Sequence, residues 1–317
     1  MRHFGRTARE IAMQFGVHLP HLGHQADREH LLGFARRAEA LGVDSAWASD
    51  HIAWPASLAS RYPYSEGGDF PAPFGIPWLD AIGTLLFVAA CTERIRLGTT
   101  VLILGYRPPV QTAKLLATLD VLSQGRTILG AGVGWMEEEF DALGMPFDHR
   151  GARADEQLEI FETLFSKETP SFDGRFYRFP EIGFSPRPPR GHIPVWIGGH
   201  TEPALRRAAR YGDGFHAAFT PPDVLAGQWR RVQQLASSAG RDPASIELSA
   251  RVHLGLHGGV NPATAIHGRG DEMLEQIAAY ARIGVTHLLL DIVAPHGVAG
   301  RQEAMERFMQ DVRPRVP

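Results

Sequence analysis

Asp50 and His51 follow the run Asp44-Ser45-Ala46-Trp47-Ala48-Ser49, which reads as a buried strand, so a carboxylate and an imidazole stand together where a strand ends. An imidazole with an ordinary pKa of about 6.5 donates or accepts a proton near neutrality, or stabilises an anion. The plainer alternative is an aspartate that caps a turn beside a histidine satisfied in the core. Two other strand ends carry small or hydroxylated residues, Leu97-Gly98-Thr99-Thr100-Val101 and Trp196-Ile197-Gly198-Gly199. The glycine pair Gly198-Gly199 precedes a helix opening at Thr201, so bare backbone N–H groups and a helix N-terminus can meet a phosphate there. A tight turn would also use these glycines for geometry alone.

Strands and helices must alternate to bring these segments to one rim. Strands are expected at 14–19, 43–49, 95–101, 127–133, 194–197, 214–217, 246–252 and 287–292. Between them lie amphipathic stretches, the first capped by Asp27 with Leu31, Ala35, Ala38 and Leu41 on one face. Further stripes are Leu115, Leu116, Leu119 and Leu122; Leu158, Phe161 and Leu164; Trp229, Val232 and Leu235; Met273, Ile277 and Tyr280; and Met305, Phe308 and Val312. Eight strand-helix units over 317 residues predict an α/β fold, a closed (β/α)8 TIM barrel forming a single domain over 1–317. A doubly wound open sheet is the alternative. In such a barrel the strand C-termini carry the active site.

Two connections exceed the usual few residues. Pro55 to Pro77, after the second strand, holds Tyr62, Tyr64, Phe70 and Phe74 among Pro and Gly, and its aromatic density suits a lid or pocket wall. Thr169 to His192, before the fifth strand, contains Asp173-Gly174, a hairpin signal.

Net charge is -3, and 44% of residues are hydrophobic. The balance leaves no basic footprint for nucleic acid or an anionic membrane, and points to small-molecule chemistry. The one cysteine, Cys91, cannot form an internal disulfide. Arg2, Arg6 and Arg9 are not followed by an apolar run of signal-peptide or membrane-span length, so a cytoplasmic location is expected. His18, His21 and His24, with His51, His216 and Asp291, raise a metal-dependent barrel hydrolase as another class, but the chain has no paired zinc-ligand motif and no metal residues are assigned.

The motifs together resemble the bacterial luciferase-like flavin and deazaflavin oxidoreductases. The resemblance runs through Phe15-Gly16-Val17, Ser49-Asp50-His51, Arg94-Ile95-Arg96-Leu97-Gly98-Thr99, Leu119-Asp120-Val121-Leu122-Ser123-Gln124-Gly125-Arg126, Gly132-Val133-Gly134-Trp135 and Ile193-Pro194-Val195-Trp196-Ile197-Gly198-Gly199. It implies a (β/α)8 barrel with an insertion before the fifth strand. It further implies a flavin-type ring across the strand ends, with Asp50 and His51 as catalytic residues beside it. Thr100 and Val101 fall where many members carry a non-prolyl cis peptide behind the ring. The cofactor-binding set expected on this basis is Asp50, Thr99, Thr100, Val101, Gly132, Gly134, Glu138, Gly198, Gly199 and Thr201.

Members similar to bacterial luciferase itself often hold the FMN phosphate with an arginine near the end of the fourth strand, where this chain has Gly132-Val133-Gly134. The resemblance therefore favours coenzyme F420, with FMN as the alternative. The family's F420-dependent sugar-phosphate dehydrogenases have an acidic glutamate where this chain has Trp135, and two lysines on the sugar phosphate; Lys114 and Lys167 are the only lysines here. That activity is not expected. Glu137, Glu138 and Glu139 open a helix and read as partners of its dipole.

Trp54, Tyr62, Phe74, Trp78 and Trp135, with Tyr64, would wall an apolar substrate pocket. The expected reaction is F420-dependent hydride transfer to or from a small hydrophobic substrate such as an enone or imine. The alternatives are a two-component monooxygenase using reduced FMN and O2, and a barrel that binds flavin without turnover. The family also implies a homodimer and leaves room for a separate flavin or F420 reductase as partner.

Overall fold

The structure, a computed structural model, describes residues 12–317 apart from 66 and 257. Eight parallel strands close on themselves: β1 (Gln14–His18), β2 (Ser45–Ala48), β3 (Arg96–Thr99), β4 (Thr127–Gly132), β5 (Val195–Gly198), β6 (Gly214–Ala218), β7 (Glu247–Gly255) and β8 (Val285–Ile292). Each pairs with the next, and β8 returns to β1 with Phe15 beside Leu288 and Gly16 beside Leu289. The closed (β/α)8 barrel is thus the architecture, and the open sheet is excluded by the β8–β1 pairing.

Helices follow the strands on the outside. They are α1 (Arg28–Ala40), α2 (Ala81–Cys91), α3 (Pro109–Leu122), α4 (Glu137–Ala142), α5 (Arg150–Ser166), α6 (Glu202–Tyr211), α7 (Pro222–Ser238), α8 (Gly270–Arg282) and α9 (Gly297–Arg307). Asp27 caps α1 by accepting the His30 N–H at 3.0 Å, and Pro109 occupies the first turn of α3, where its missing N–H leaves no bond unmade. The stripe Met305, Phe308 and Val312 is buried, but the helix carrying it changes to a π-helical turn at Phe308–Val312. The hairpin of the second insertion pairs Phe172 with Phe179 and Asp173 with Arg178, so its turn is longer than the two residues Asp173-Gly174 suggest.

Three features beyond the plain strand-helix alternation matter for function. A short strand, Leu102–Ile103, pairs with β4 just beyond β3. The peptide between Thr100 and Val101 is cis, at the position the resemblance singled out. After β7 the chain makes an extra excursion that ends in the strand Ala265–His267 alongside β7, an insertion that periodicity alone did not reveal.

The lower barrel is filled by two fully buried indoles, Trp47 and Trp196, whose ring centroids lie 5.3 Å apart. They fit because the adjacent strands carry glycine at the paired positions: a Cβ on Gly98 would come within 2.3 Å of the Trp47 ring, and one on Gly214 within 2.5 Å of Trp196. The His216 ring stacks on Trp47 at 5.2 Å and 7°. His287 packs edge-on to both indoles and bonds Ser45 Oγ at 2.7 Å.

Burial pushes the imidazoles of His18, His21, His216 and His287 below their ordinary value, to about 4 for His21 and about 3 for His216. They are therefore neutral in the folded chain at pH 7. Above about pH 6.5 the unfolded chain is also neutral at these positions, and stability is insensitive to them. Below it the unfolded chain takes up protons that the folded one refuses, and stability falls by up to about 1.4 kcal/mol per pH unit for each group. Thermal midpoints measured between pH 7.5 and 5, where carboxylates stay ionised, should decline on the acid side; a flat profile would contradict neutral burial.

Candidate functional site

The C-terminal ends of the strands open into a cavity of about 590 Å³. Its lining brings together Asp50, His51, Tyr62, Trp78, Thr100, Val101, Trp135, Gly198 and Gly199, nine of the positions singled out in the sequence. Tyr64 and Phe70 of the first insertion line it as well.

His51 is held by a residue the sequence reading assigned elsewhere. Its Nδ1 lies 2.6 Å from Oε2 of Glu139, a fully buried carboxylate. An ionised carboxylate only accepts, so Nδ1 carries the proton and donates, leaving Nε2 as the nitrogen able to meet a ligand. Glu139 also accepts the backbone N–H of Ile52 at 2.6 Å and of Ala53 at 3.1 Å, and the Tyr106 hydroxyl at 2.7 Å. Burial alone would raise the Glu139 carboxyl, but the His51 hydrogen bond and charge, the Ile52 N–H and the Tyr106 hydroxyl together hold it below the ordinary carboxylate value. Burial and the same carboxylate push the Tyr106 phenol far up.

The expectation that Glu137, Glu138 and Glu139 merely answer the helix dipole is therefore corrected for two of them. Glu138 accepts the N–H groups of Ala59 and Ser60, at 2.6 and 2.9 Å. Rather than facing a cofactor, it anchors the first insertion. The helical rotation of about 100° per residue sends Glu139 inward and Glu138 toward the insertion.

Asp50 has both oxygens occupied. Arg107 spans them from Nη1 and Nη2 at 2.7 and 2.8 Å, and Oδ2 also accepts the Ile103 N–H at 3.0 Å. Nη2 of Arg107 also donates to Asp80, the N-cap of α2, at 2.7 Å. This geometry suits a carboxylate that fixes the rim better than one that exchanges protons.

Several expected contacts lie outside the cavity. Thr99 is buried with its hydroxyl on Gly130 O at 2.7 Å. Gly132 lies behind the bulge, where a Cβ would meet Val101 Cγ2 at 2.4 Å, and Gly134 packs against Ile103 and Phe140. Trp54 supports the wall from behind, its ring 5.7 Å from Trp78 and 5.4 Å from His51. Phe74 is 65% exposed and walls nothing. Thr201 is the N-cap of α6 but makes no side-chain capping bond.

Of the remaining lining, His18, His216 and Asp291 entered the sequence analysis only as candidate metal ligands, and Arg251, His253 and Arg301 gave no signal there. His216 bonds Thr100 Oγ1 at 3.0 Å and Ser249 Oγ at 2.8 Å, and Arg251 Nη1 donates to Thr100 O at 3.2 Å. Arg251 is paired with Asp291. His18, His253 and Arg301 join them, with Asn261 and Thr264 from the excursion after β7. Among the described residues, no group of three His, Cys, Asp or Glu side chains is arranged to hold a metal ion, and no helix is long and apolar enough to cross a membrane.

A sequence model of the family described as luciferase-like monooxygenase matches residues 13–258. An uncharacterised protein of Mycobacterium tuberculosis is 37% identical over 207 residues, 65% of this chain and 71% of its own length. A protein of Beutenbergia cavernae named F420-dependent glucose-6-phosphate dehydrogenase is 28% identical, covering 93% of this chain and 97% of its own. Among solved structures, an F420-dependent secondary alcohol dehydrogenase in complex with an F420-acetone adduct superposes with a TM-score of 0.78 at 17% identity, covering 96% of this chain and 99% of its own; at that identity the likeness speaks for the fold.

Removing the Arg107 cation leaves Asp50 as a buried, unpaired charge. Arg107→Met should destabilise the protein by about 3–5 kcal/mol, and adding Asp50→Asn should restore much of the loss. Denaturant midpoints of the single and double variants test this; additive losses would mean that the pair does not act as a unit.

Proposed function

The chain belongs to the luciferase-like monooxygenase family, whose members are oxidoreductases, and from that premise we propose that it transfers a hydride between coenzyme F420 and a small hydrophobic organic substrate, with His51 handling the proton. The observation that carries this reading is His51 itself: tied through Nδ1 to a buried carboxylate, it keeps Nε2 for the cavity.

The residues present fit a flat tricyclic group. The cis-peptide bulge at Thr100–Val101 rises from a bed without side chains, since a Cβ on Gly198 would sit 2.8 Å from Val101 Cγ1 and one on Gly130 only 1.8 Å from Thr99 O. Val101, Thr100, Gly198 and Gly199 would support one face of the ring. The Gly199 backbone, at φ +118, and the α6 N-terminus without a side-chain cap offer N–H groups to a phosphate. When bound, the deazaflavin supplies a two-electron hydride at its central carbon.

The chain's own residues do the rest. Tyr62, Phe70, Trp78 and Trp135 make the open side of the cavity apolar and exclude water from the reacting pair. Glu139 orients the imidazole through Nδ1, so that Nε2 of His51 can hand a proton to the substrate atom that gains negative charge, or take it in the reverse direction.

A second reading has one observation in its favour. The end of β4 lacks an arginine of its own, yet Arg150 of α5 donates to Gly134 O at 3.1 Å and lies over the Phe147 ring at 4.1 Å. A guanidinium there suits the FMN phosphate of a monooxygenase supplied with reduced flavin by a partner and using O2.

Titration of the purified protein with F420 and with FMN, side by side, separates the two. Preferential F420 binding at a micromolar Kd, roughly -8 kcal/mol, is expected; preferential FMN binding would transfer the reading to the monooxygenase. With the preferred cofactor bound, His51→Ala should lower turnover by about 10²–10⁴-fold. Glu139→Gln, which keeps the shape and removes the charge, should move the pH profile as well as the rate. Full turnover with an unchanged pH dependence in His51→Ala would sink the proton-handling role.

A further inference from the structure

The cavity is two-sided. Against the aromatic wall stands a charged sector built from the ends of β7, β8 and β1 together with α9: Arg251, Asp291, His18 and Arg301. Two guanidinium groups face one carboxylate. Arg251 is committed, paired to Asp291 and bonded to Thr100 O at 3.2 Å. Arg301 is not. Its Nη2 donates to His18 O at 2.6 Å, its guanidinium lies 5.6 Å from the Phe34 ring, and among the described residues it has no carboxylate within 4.0 Å. The Nε atoms of both arginines are buried without a partner, so neither group is fully satisfied by protein.

The neighbouring imidazoles add no negative charge and, being held neutral by burial, no positive charge either. The sector therefore carries one unbalanced positive charge, partly buried in the cavity wall. Burying an uncompensated charge is costly, and the cost is relieved when the occupant brings the counter-charge. An arginine with unused donors is also the side chain best shaped to receive a carboxylate.

We propose that the substrate is amphiphilic, with an aromatic or aliphatic body against Tyr62, Phe70, Trp78 and Trp135 and a carboxylate or similar monoanion received by Arg301 beside Arg251. The proposal rests on the oxidoreductase reading above and narrows its substrate class to hydrophobic acids. One end of the molecule would be fixed at the β7–β8–β1 sector, leaving its reactive carbon toward His51, which follows the adjacent strand β2.

A matched pair of probes tests it: trans-cinnamate and its neutral amide, titrated calorimetrically into the full chain with and without F420. Cinnamate is expected to bind at least about tenfold more tightly than cinnamamide, a difference of about 1.4 kcal/mol. Arg301→Gln should bring cinnamate down to the affinity of the amide while leaving amide and F420 binding within about twofold. The acid-to-amide difference in the unmodified protein needs no variant, and so stands even if Arg301→Gln folds poorly. No cinnamate binding, or equal binding of acid and amide, overturns the proposal. So does a variant that weakens F420 and spares cinnamate, which would assign the cation to the cofactor. If F420 fails to bind while the difference between acid and amide persists, the cofactor reading falls and the anion subsite remains.

Discussion

One buried carboxylate organises the rim of this barrel. Glu139 gathers an imidazole, two backbone N–H groups and a phenol around its two oxygens. A carboxylate at this depth is tolerated only because its lone pairs are filled. Once they are, three separate pieces of chain are held together: the end of β2, the short turn carrying Tyr106, and α4. The orientation of His51 follows from that arrangement, as does the path of the chain into the first insertion. The Thr100–Val101 bulge is steadied independently, from across the barrel, by His216 and Arg251. Side chains on regular elements, Glu139 on α4, His216 on β6 and Arg251 on β7, therefore fix His51 and the bulge, which lie just past strand ends.

The fold was legible because barrel strands and their covering helices leave two distinct hydrophobic periods. Strand ends also announce themselves through Gly, Thr and Asp-His pairs, which is why nine of the expected positions meet in one cavity. What failed was assignment within a polar run. Glu137, Glu138 and Glu139 look equivalent in sequence, and only the helical phase of α4 against the insertion separates an anchor from an orienting group. Asp50 looked like a reagent for a related reason: its partner Arg107 lies 57 residues along the chain, beyond the reach of local pattern.

The two arginines of the charged sector were hidden more deeply. Arg251, Asp291 and Arg301 come from β7, β8 and α9, and His18 from β1 at the opposite end of the chain. They become neighbours only when the barrel closes. Phe74 errs in the other direction: as an aromatic in an aromatic-rich insertion it suggests a wall, yet it is exposed, while Tyr62, Tyr64 and Phe70 of the same insertion line the cavity.

Arg107 joins Asp50, at the start of the first insertion, to Asp80, at its end. Nearby, Leu22 bridges Trp78, and Gly23 bonds Pro77 O at 2.9 Å. The insertion thus leaves and re-enters the barrel through a clasp whose parts all belong to the frame. Closing a flexible loop becomes only slowly more costly as it lengthens, by about 0.6 kcal/mol per doubling. A clasped stem makes the span between its jaws exchangeable: segments of other lengths and compositions could be carried there without disturbing the barrel, much as an interchangeable head is fitted to one handle. Diversification of what the cavity accepts would then proceed by replacing the span from Pro55 to Ile76 while His51, its Glu139 partner and the clasp stay in place.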